Sequence, residues 1–354
     1  MIRSLFCCAL IATFVIDNPH CGRYEINRSQ LAAMYLESGN YDRALREGQR
    51  ALREDGESAQ RRLLVALAHM GRGEHGQALE VLIDAIERAP DSEELYSALR
   101  SLCREGALYE RAGIALRALR AEMPPNAELL ATLAWIESRL DHSERAAALL
   151  DSAIEVDSDH LFTRIERSQL AIESGDFLRA ESELQAALRL EPNEPRLLLT
   201  LGEVQLRQDR FSAADSSFRR AMRGEWKANV AAHIAQLYAE EDLPVRAIEY
   251  YERAIARDPE DASSLNNLAW TYAEEGILLE HATNLSLRSL QIDGENPIYL
   301  DTYAELLYLQ GRHVRAFAVI RRALELEEQD SEHWTYLRAQ YDKMQSALSP
   351  RARL

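Results

Sequence analysis

The chain has 354 residues, with 41 Lys+Arg against 58 Asp+Glu and a formal net charge of −17. This acidic balance argues against a nucleic-acid binder, because affinity for the phosphate backbone depends on lysine and arginine side chains. Hydrophobic residues make up 47% of the chain and charged residues 28%, which is typical of a folded protein and excludes a disordered one. The 15 glycines and 10 prolines are few for this length, and they disfavour an all-β fold with many tight turns.

Residues 1–21 differ from the rest of the chain. A positive charge near the start precedes an almost wholly apolar run over residues 5–16. The run is too short to span a bilayer, which takes about 20 residues, and it matches the apolar region of a secretory signal. We therefore expect a leader that directs export to the periplasm or anchors the protein to a membrane.

Cys21 is a candidate lipidation site, because its distance from the N-terminus resembles that in bacterial lipoprotein signals. Asn18 and His20 depart from that pattern, since such signals usually carry leucine and a small residue at these positions. An uncleaved anchor, a mis-assigned start codon and a cytoplasmic location are the alternatives. Almost all basic residues are arginine, which indicates GC-rich codons and favours a bacterial source.

One alanine recurs along the chain at a spacing of 34 residues, with one slip to a shorter spacing and one to a longer spacing. It falls at Ala44, Ala78, Ala112, Ala146, Ala180, Ala214, Ala247, Ala282 and Ala316. A fixed period of this length indicates one supersecondary motif repeated along a solenoid. Each repeat has the pattern of two amphipathic helices, and its small residues mark the closest approach of the helix axes. Arg100 is the exception at a position where other repeats carry a small residue such as Gly202.

The pattern within a repeat resembles that of the tetratricopeptide repeat family. One repeat carries Leu265, Leu268-Ala269, Tyr272, Ala282, Leu285 and Ser289 at the family's positions. The resemblance implies an all-α fold, a right-handed α-solenoid of helix-turn-helix repeats. It covers residues 25–330 as nine repeats: 25–58, 59–92, 93–126, 127–160, 161–194, 195–227, 228–261, 262–296 and 297–330. Residues 331–347 are predicted to form a C-terminal capping helix, and residues 348–354 a tail.

The sequence lacks the motifs of common catalytic sites. Gly71, Gly73 and Gly76 match the spacing of a dinucleotide-binding loop, but an apolar helical run precedes them where that loop requires a strand. We interpret these glycines as the turn between two helices. No phosphate loop, His-Glu-x-x-His or Cys-x-x-Cys motif occurs, and Cys103 is predicted to be a buried small hydrophobe. We predict no enzymatic activity, no cofactor and no metal.

The resemblance implies that the first helix of each repeat lines a concave groove that binds a partner protein or peptide. In the seventh to ninth repeats the groove residues are predicted to be His233, Gln236, Glu240, Asn266, Asn267, Trp270, Asp301, Thr302, Glu305 and Tyr308. Asparagine side chains can bond a peptide backbone as donors and as acceptors, and tryptophan offers a large contact area. Trp135 occupies the position of Trp270 in the fourth repeat. The alternative is that Trp270 packs against the neighbouring helix.

A second candidate surface lies in the second repeat. Leu63, Leu64, Leu67 and Met70 fall on the predicted concave side, where an apolar patch would bury an amphipathic partner helix. The alternative is a helix that is fully buried within the fold.

These observations favour a non-catalytic scaffold, exported or tethered to a membrane through its N-terminus, that binds a protein or peptide and no nucleic acid. The net charge favours partners with a basic patch. A role in envelope assembly or secretion rests on the resemblance alone. The alternatives are a cytosolic adaptor or regulator, and an enzyme or carbohydrate-binding module that uses Trp135 and Trp270.

Overall fold

The computed structural model describes residues 27–54, 58–223, 227–329 and 331–348. Within these ranges the chain forms 19 α-helices and no strand. They belong to two compact units, the first ending at Pro192 and the second beginning at Asn193. The predicted all-α class, built of helical hairpins and ending in a capping helix, is confirmed.

The first unit contains ten helices, which pair in chain order. They are α1 (Arg28–Glu37), α2 (Tyr41–Glu54), α3 (Ala59–Gly71), α4 (His75–Arg88), α5 (Glu93–Gly106), α6 (Tyr109–Glu122), α7 (Ala127–Arg139), α8 (Ser143–Val156), α9 (Leu161–Glu173) and α10 (Phe177–Leu190). Helices also contact across neighbouring hairpins: first helices such as α5 and α7 pack together, and so do the second helices α4 and α6.

The second unit contains nine helices. They are α11 (Pro195–Leu206), α12 (Phe211–Ala221), α13 (Ala228–Glu240), α14 (Pro244–Arg257), α15 (Ala262–Glu274), α16 (Leu279–Ile292), α17 (Pro297–Leu309), α18 (His313–Leu326) and α19 (Glu332–Ala347). Four hairpins precede α19, which packs against α18. Leu337 and Met344 of α19 are completely buried in the last hydrophobic cluster, as expected for a capping helix.

The recurrent alanine is buried in every repeat, in agreement with the close helix packing that the sequence predicts. All nine alanines, from Ala44 to Ala316, are at most 1% exposed. Gly202, at the position where Arg100 is the exception, shows why that residue must also be small, because a Cβ added there would lie 2.3 Å from the ring of Phe218. The small residues therefore allow the two helices of a hairpin to approach each other.

Turn and cap residues set the helix boundaries. Gly73 has φ +74°, a left-handed conformation that glycine adopts without the steric cost of a side chain. Gly71 ends α3 and Gly76 lies in the first turn of α4, so the three glycines form a helix-helix turn, as interpreted from the sequence. Asn126 caps α7 by accepting a hydrogen bond from the Leu129 backbone amide at 2.8 Å.

The predicted leader, residues 1–21 with Cys21 as its lipidation site, lies outside the described residues, as does the tail from residue 349. Among the helices that the structure describes, none combines the length and the apolar content needed to cross a membrane. Cys103 on α5 is completely buried, and burial raises the pKa of its thiol to about 12, in agreement with its predicted role as a small hydrophobe.

Candidate functional site

The residues predicted to line the groove of the second unit differ in how accessible they are. His233, Gln236 and Glu240 lie exposed on α13, and the Gln236 amide donates to Glu240 Oε1 at 3.1 Å. Asn267 and Trp270 on α15 are half-buried. The accessible part of the predicted site is therefore formed by α13 and α15.

Asn266 is only 2% exposed, so the prediction that its amide is presented to a partner is wrong for this conformation. The reason is that α15 packs against α14, α16 and α17, which cover most of its surface. Its Oδ1 atom is buried and has no hydrogen-bond donor within the described part of the chain. Asn267 instead forms a hydrogen bond with the hydroxyl of Tyr251. Burial raises the pKa of Tyr251, and this hydrogen bond partly offsets the increase.

Asp301 and Thr302 on α17 are also buried, at 6% and 2% exposure, and the prediction that they face an open groove is wrong. The Thr302 hydroxyl donates to the Ile298 carbonyl of its own helix at 3.2 Å. Burial, together with the nearby Glu305 carboxylate, raises the pKa of Asp301 to about 6, while a hydrogen bond from Tyr336 of α19 opposes the shift. The capping helix therefore covers this stretch of α17.

Glu305 and Tyr308 are half-buried beneath the same helix. Lys343 Nζ lies 2.9 and 2.8 Å from the two carboxylate oxygens of Glu305 and 4.8 Å from the centroid of the Tyr308 ring. Lys343 is one of only two lysines in the chain. Asp301, Glu305 and Tyr308, which the sequence assigned to a partner, are thus already bound to α19.

The apolar patch predicted in the second repeat is part of the core. Leu63, Leu64 and Met70 are buried, and Leu67 is half-buried against the same cluster. The docking prediction for these residues is wrong, because α3 packs against helices of three hairpins: α1, α2, α4 and α5. The alternative, a helix buried within the fold, describes the apolar face of this segment.

Trp135 is 4% exposed and is not available to a partner. The Tyr109 ring lies 5.5 Å from its own ring, centroid to centroid, and the Arg104 guanidinium lies 5.8 Å from its centroid. The equivalence of Trp135 and Trp270 in the repeat therefore does not extend to their exposure.

A buried charged cluster joins three first helices of the first unit. Arg100 Nη1 of α5 donates to Glu128 Oε1 at 2.6 Å and to Thr132 Oγ1 at 2.7 Å, both on α7. The guanidinium also lies 3.8 Å from the centroid of the Phe162 ring on α9. The sequence had marked Arg100 as the exception among small residues, but its partners could not be assigned from the repeat pattern.

Two carboxyl groups beside this cluster have opposite shifts in pKa. Burial opposes ionisation of Glu128, but hydrogen bonds and charges from His160 and Arg100 lower its pKa; His160 Nε2 lies 2.6 Å from Glu128 Oε2. Burial raises the pKa of Glu166 on α9 to about 7, against the attraction of nearby arginines such as Arg100. Across the described residues, no group of histidine, cysteine, aspartate and glutamate side chains could hold a metal ion.

The fold and these sites define an all-α protein built from repeated helical hairpins. Models of the tetratricopeptide repeat match residues 35–103 and 171–237, and further models of the same repeat match 228–261 and 250–280, together about half of the chain. The chain belongs to the tetratricopeptide repeat family, whose fold binds proteins or peptides. No curated protein matches the chain significantly.

Several solved structures are similar to this chain at low sequence identity. The C-terminal part of a TPR repeat-containing protein from Cytophaga hutchinsonii is 14% identical with a TM-score of 0.55, over 67% of this chain and 97% of that one. YrrB, described as a TPR protein with an unusual peptide-binding site, is 17% identical with a TM-score of 0.41, over 55% and 97%. PilW, a type IV pilus biogenesis factor, is 16% identical with a TM-score of 0.47, over 61% and 99%.

Proposed function

We propose that this protein is a non-catalytic scaffold that holds a segment of a partner protein on the α13 and α15 surface of the second unit. Membership of the tetratricopeptide repeat family supports the general role. The accessible polar and aromatic side chains of this surface, His233, Gln236 and Trp270, support the location. Tryptophan and amide side chains suit peptide binding, because they combine a large contact area with directional hydrogen bonds.

The single observation that carries the location is the accessibility of His233 and Gln236 on α13, together with the half-buried Asn267 and Trp270 on α15. Trp270 follows Asn267 by three residues, which places the two side chains on the same face of α15. A partner segment on this surface would contact the Trp270 ring and form hydrogen bonds with the amides of Gln236 and Asn267.

The partner segment is proposed to be basic. The net charge of −17 attracts positively charged segments at long range, and Glu240 and Glu274 are exposed at the ends of α13 and α15. The contact of Lys343 with Glu305 supports the same preference, because it shows the kind of charge that the acidic residues of α17 accept.

We further propose that the scaffold acts in the cell envelope, in assembly or secretion. The support for this is the apolar leader over residues 1–21, which precedes the described residues. Cell fractionation with intact-mass analysis tests it directly. A mature chain that starts after the leader, or a lipid on Cys21, supports export, whereas a cytosolic protein that keeps Met1 contradicts it.

Site-specific crosslinking tests the binding surface. A photo-reactive amino acid at exposed Gln236 should capture one main partner in cells, and the same amino acid at exposed Gln169 of α9 serves as the control. Trp270→Ala should abolish the adduct, whereas Trp334→Ala, which removes an equally large side chain from α19, should not. An adduct that forms equally from both positions, or that survives Trp270→Ala, would contradict the proposed location.

A further inference from the structure

A groove of about 440 Å³ lies between α4 and α6, the second helices of two neighbouring hairpins in the first unit. Its apolar lining comprises Leu79 and Ile83 from α4 and Ile114 and Ala115 from α6. The groove lies on second helices, whereas the proposed partner surface uses the first helices α13 and α15. It is therefore independent of the site described above.

Ile114 is 63% exposed, and it is the large apolar residue at its position of the repeat. It follows the recurrent alanine of its repeat by two positions. The other eight repeats carry a polar residue or alanine at that position: Arg46, Glu80, Ala148, Ser182, Ser216, Glu249, Asn284 and Ala318. The repeat pattern does not require a large apolar side chain at this exposed position, so Ile114 is free to serve a contact outside the chain.

The rim of the groove is acidic. Glu80, Asp84 and Glu87 follow one another along α4 at helical spacing. Arg62 and Arg88 already pair with Asp84. Glu80 and Glu87 are exposed and make no ion pair within the described ranges of the chain. Arg111 is the one basic residue of the lining.

We propose that the α4–α6 groove docks a helix of a partner protein that presents leucine-like side chains beside lysine or arginine. The apolar lining around Ile114 would cover the partner's apolar face, and Glu80 and Glu87 would pair with basic residues about two helical turns apart. A seven-residue separation spans about 10 Å along a helix, so a second helix laid along α4 matches it. A nucleic acid is disfavoured by the acidic rim, and so is a second copy of this acidic chain.

The test uses the full chain and a labelled synthetic peptide of about 15 residues, helical in design, with leucines on one face and arginines flanking them. Fluorescence anisotropy should show saturable binding. Ile114→Glu should weaken it about tenfold or more, as expected for a central apolar contact. Val245→Glu, which alters an even more exposed apolar residue of the second unit, should leave it unchanged.

A charge exchange separates this groove from general attraction to an acidic protein. The double variant Glu80→Arg with Glu87→Arg should lose the arginine peptide and gain a peptide in which glutamate replaces each arginine. Far-UV circular dichroism should show that each variant stays folded.

The proposal is overturned if the arginine peptide does not bind, or if Ile114→Glu and Val245→Glu weaken it equally. It is also overturned if sedimentation shows a dimer that Ile114→Glu dissolves, because the groove would then join two copies. Loss of binding in Trp270→Ala with retention in Ile114→Glu would assign the peptide to the α13–α15 surface instead.

Discussion

Arg100 and Glu128 form an ion pair inside the first unit, with Nη1 and Oε1 2.6 Å apart and each residue 7% exposed. Such a pair replaces the small side chain that the repeat pattern calls for on α5. Two buried charges lose their hydration, and hydrogen bonds must compensate for that loss. Thr132 and His160 contribute those bonds, so the pair fixes how α5, α7 and the start of α9 meet.

Arg100→Met should destabilise the first unit by about 3–5 kcal/mol, because it leaves the Glu128 charge buried without its guanidinium partner. Urea denaturation followed by circular dichroism measures the loss. Arg338→Met removes an exposed ion pair with Asp342 and an exposed guanidinium contact with the Tyr341 ring, and it should cost about 1 kcal/mol or less. Equal effects of the two substitutions would contradict a structural role for the buried pair.

Glu166→Gln should stabilise the protein at alkaline pH and not at acidic pH. The pKa of Glu166 is raised to about 7 in the folded chain, above the value of about 4.3 in an unfolded chain. The stability that protonated Glu166 contributes is therefore complete below pH 4 and is lost as the pH rises through 7.

Thermal melts of wild type and Glu166→Gln at pH 5 and pH 8 measure this difference. The variant should melt higher at pH 8 by about 5 °C or more, because the rise in the pKa corresponds to about 3–4 kcal/mol and each kcal/mol shifts the melt by about 2–4 °C in a domain of this size. At pH 5 the difference should be much smaller, because most of the interval between the two pKa values lies above that pH. An advantage that is the same at both pH values would show that Glu166 ionises normally.

Gly202→Leu should prevent α11 and α12 from packing at their observed distance. Even a Cβ at this position would lie 2.3 Å from the Phe218 ring, and overpacking of this kind costs about 1–3 kcal/mol or more. The double variant with Phe218→Ala should recover part of the loss, since it removes the ring that the new side chain meets. If the double variant loses as much unfolding free energy as the two single variants together, the two side chains do not interact and this account is contradicted.

Leu337→Ala should detach α19 from the second unit. Leu337 is completely buried, and truncation of a buried leucine costs about 2–5 kcal/mol. Hydrogen exchange should increase in α18 and α19 but not in α13. Lys343→Ala, which breaks a contact between partly exposed side chains, should change exchange much less. An equal increase in exchange would contradict the dominant role of the apolar contact.

The sequence was sufficient to predict the hairpins, because the alanine period reports a steric requirement that recurs in every repeat. The packing roles of Gly202 and Ala44 could be predicted for this reason. The accessible surface was harder to predict, since it depends on which helices lie beside a residue. Asn266 was placed on the correct helix, but its burial follows from the packing of α14, α16 and α17 around it.

The same limit explains the closed stretch of α17 and the cluster around Arg100. Glu305 and Lys343 are 38 residues apart, and no repeat pattern relates an irregular capping helix to the groove. Arg100 and His160 are linked by Glu128, whose two carboxylate oxygens form one hydrogen bond with each of them. Local periodicity carries no information on such three-residue networks, so only the departure at Arg100 was visible in advance.

Because Cys103 is completely buried, its chemical labelling can report transient local opening of the first unit. At neutral pH a thiol with a pKa of about 12 is almost entirely un-ionised. Maleimides and disulfide reagents react with the thiolate, so they can label Cys103 only after α5 separates from its neighbours. After Cys7, Cys8 and Cys21 are changed to serine, the labelling rate of Cys103 measures how often the first unit opens. A partner that stabilises the packed hairpins would lower this rate.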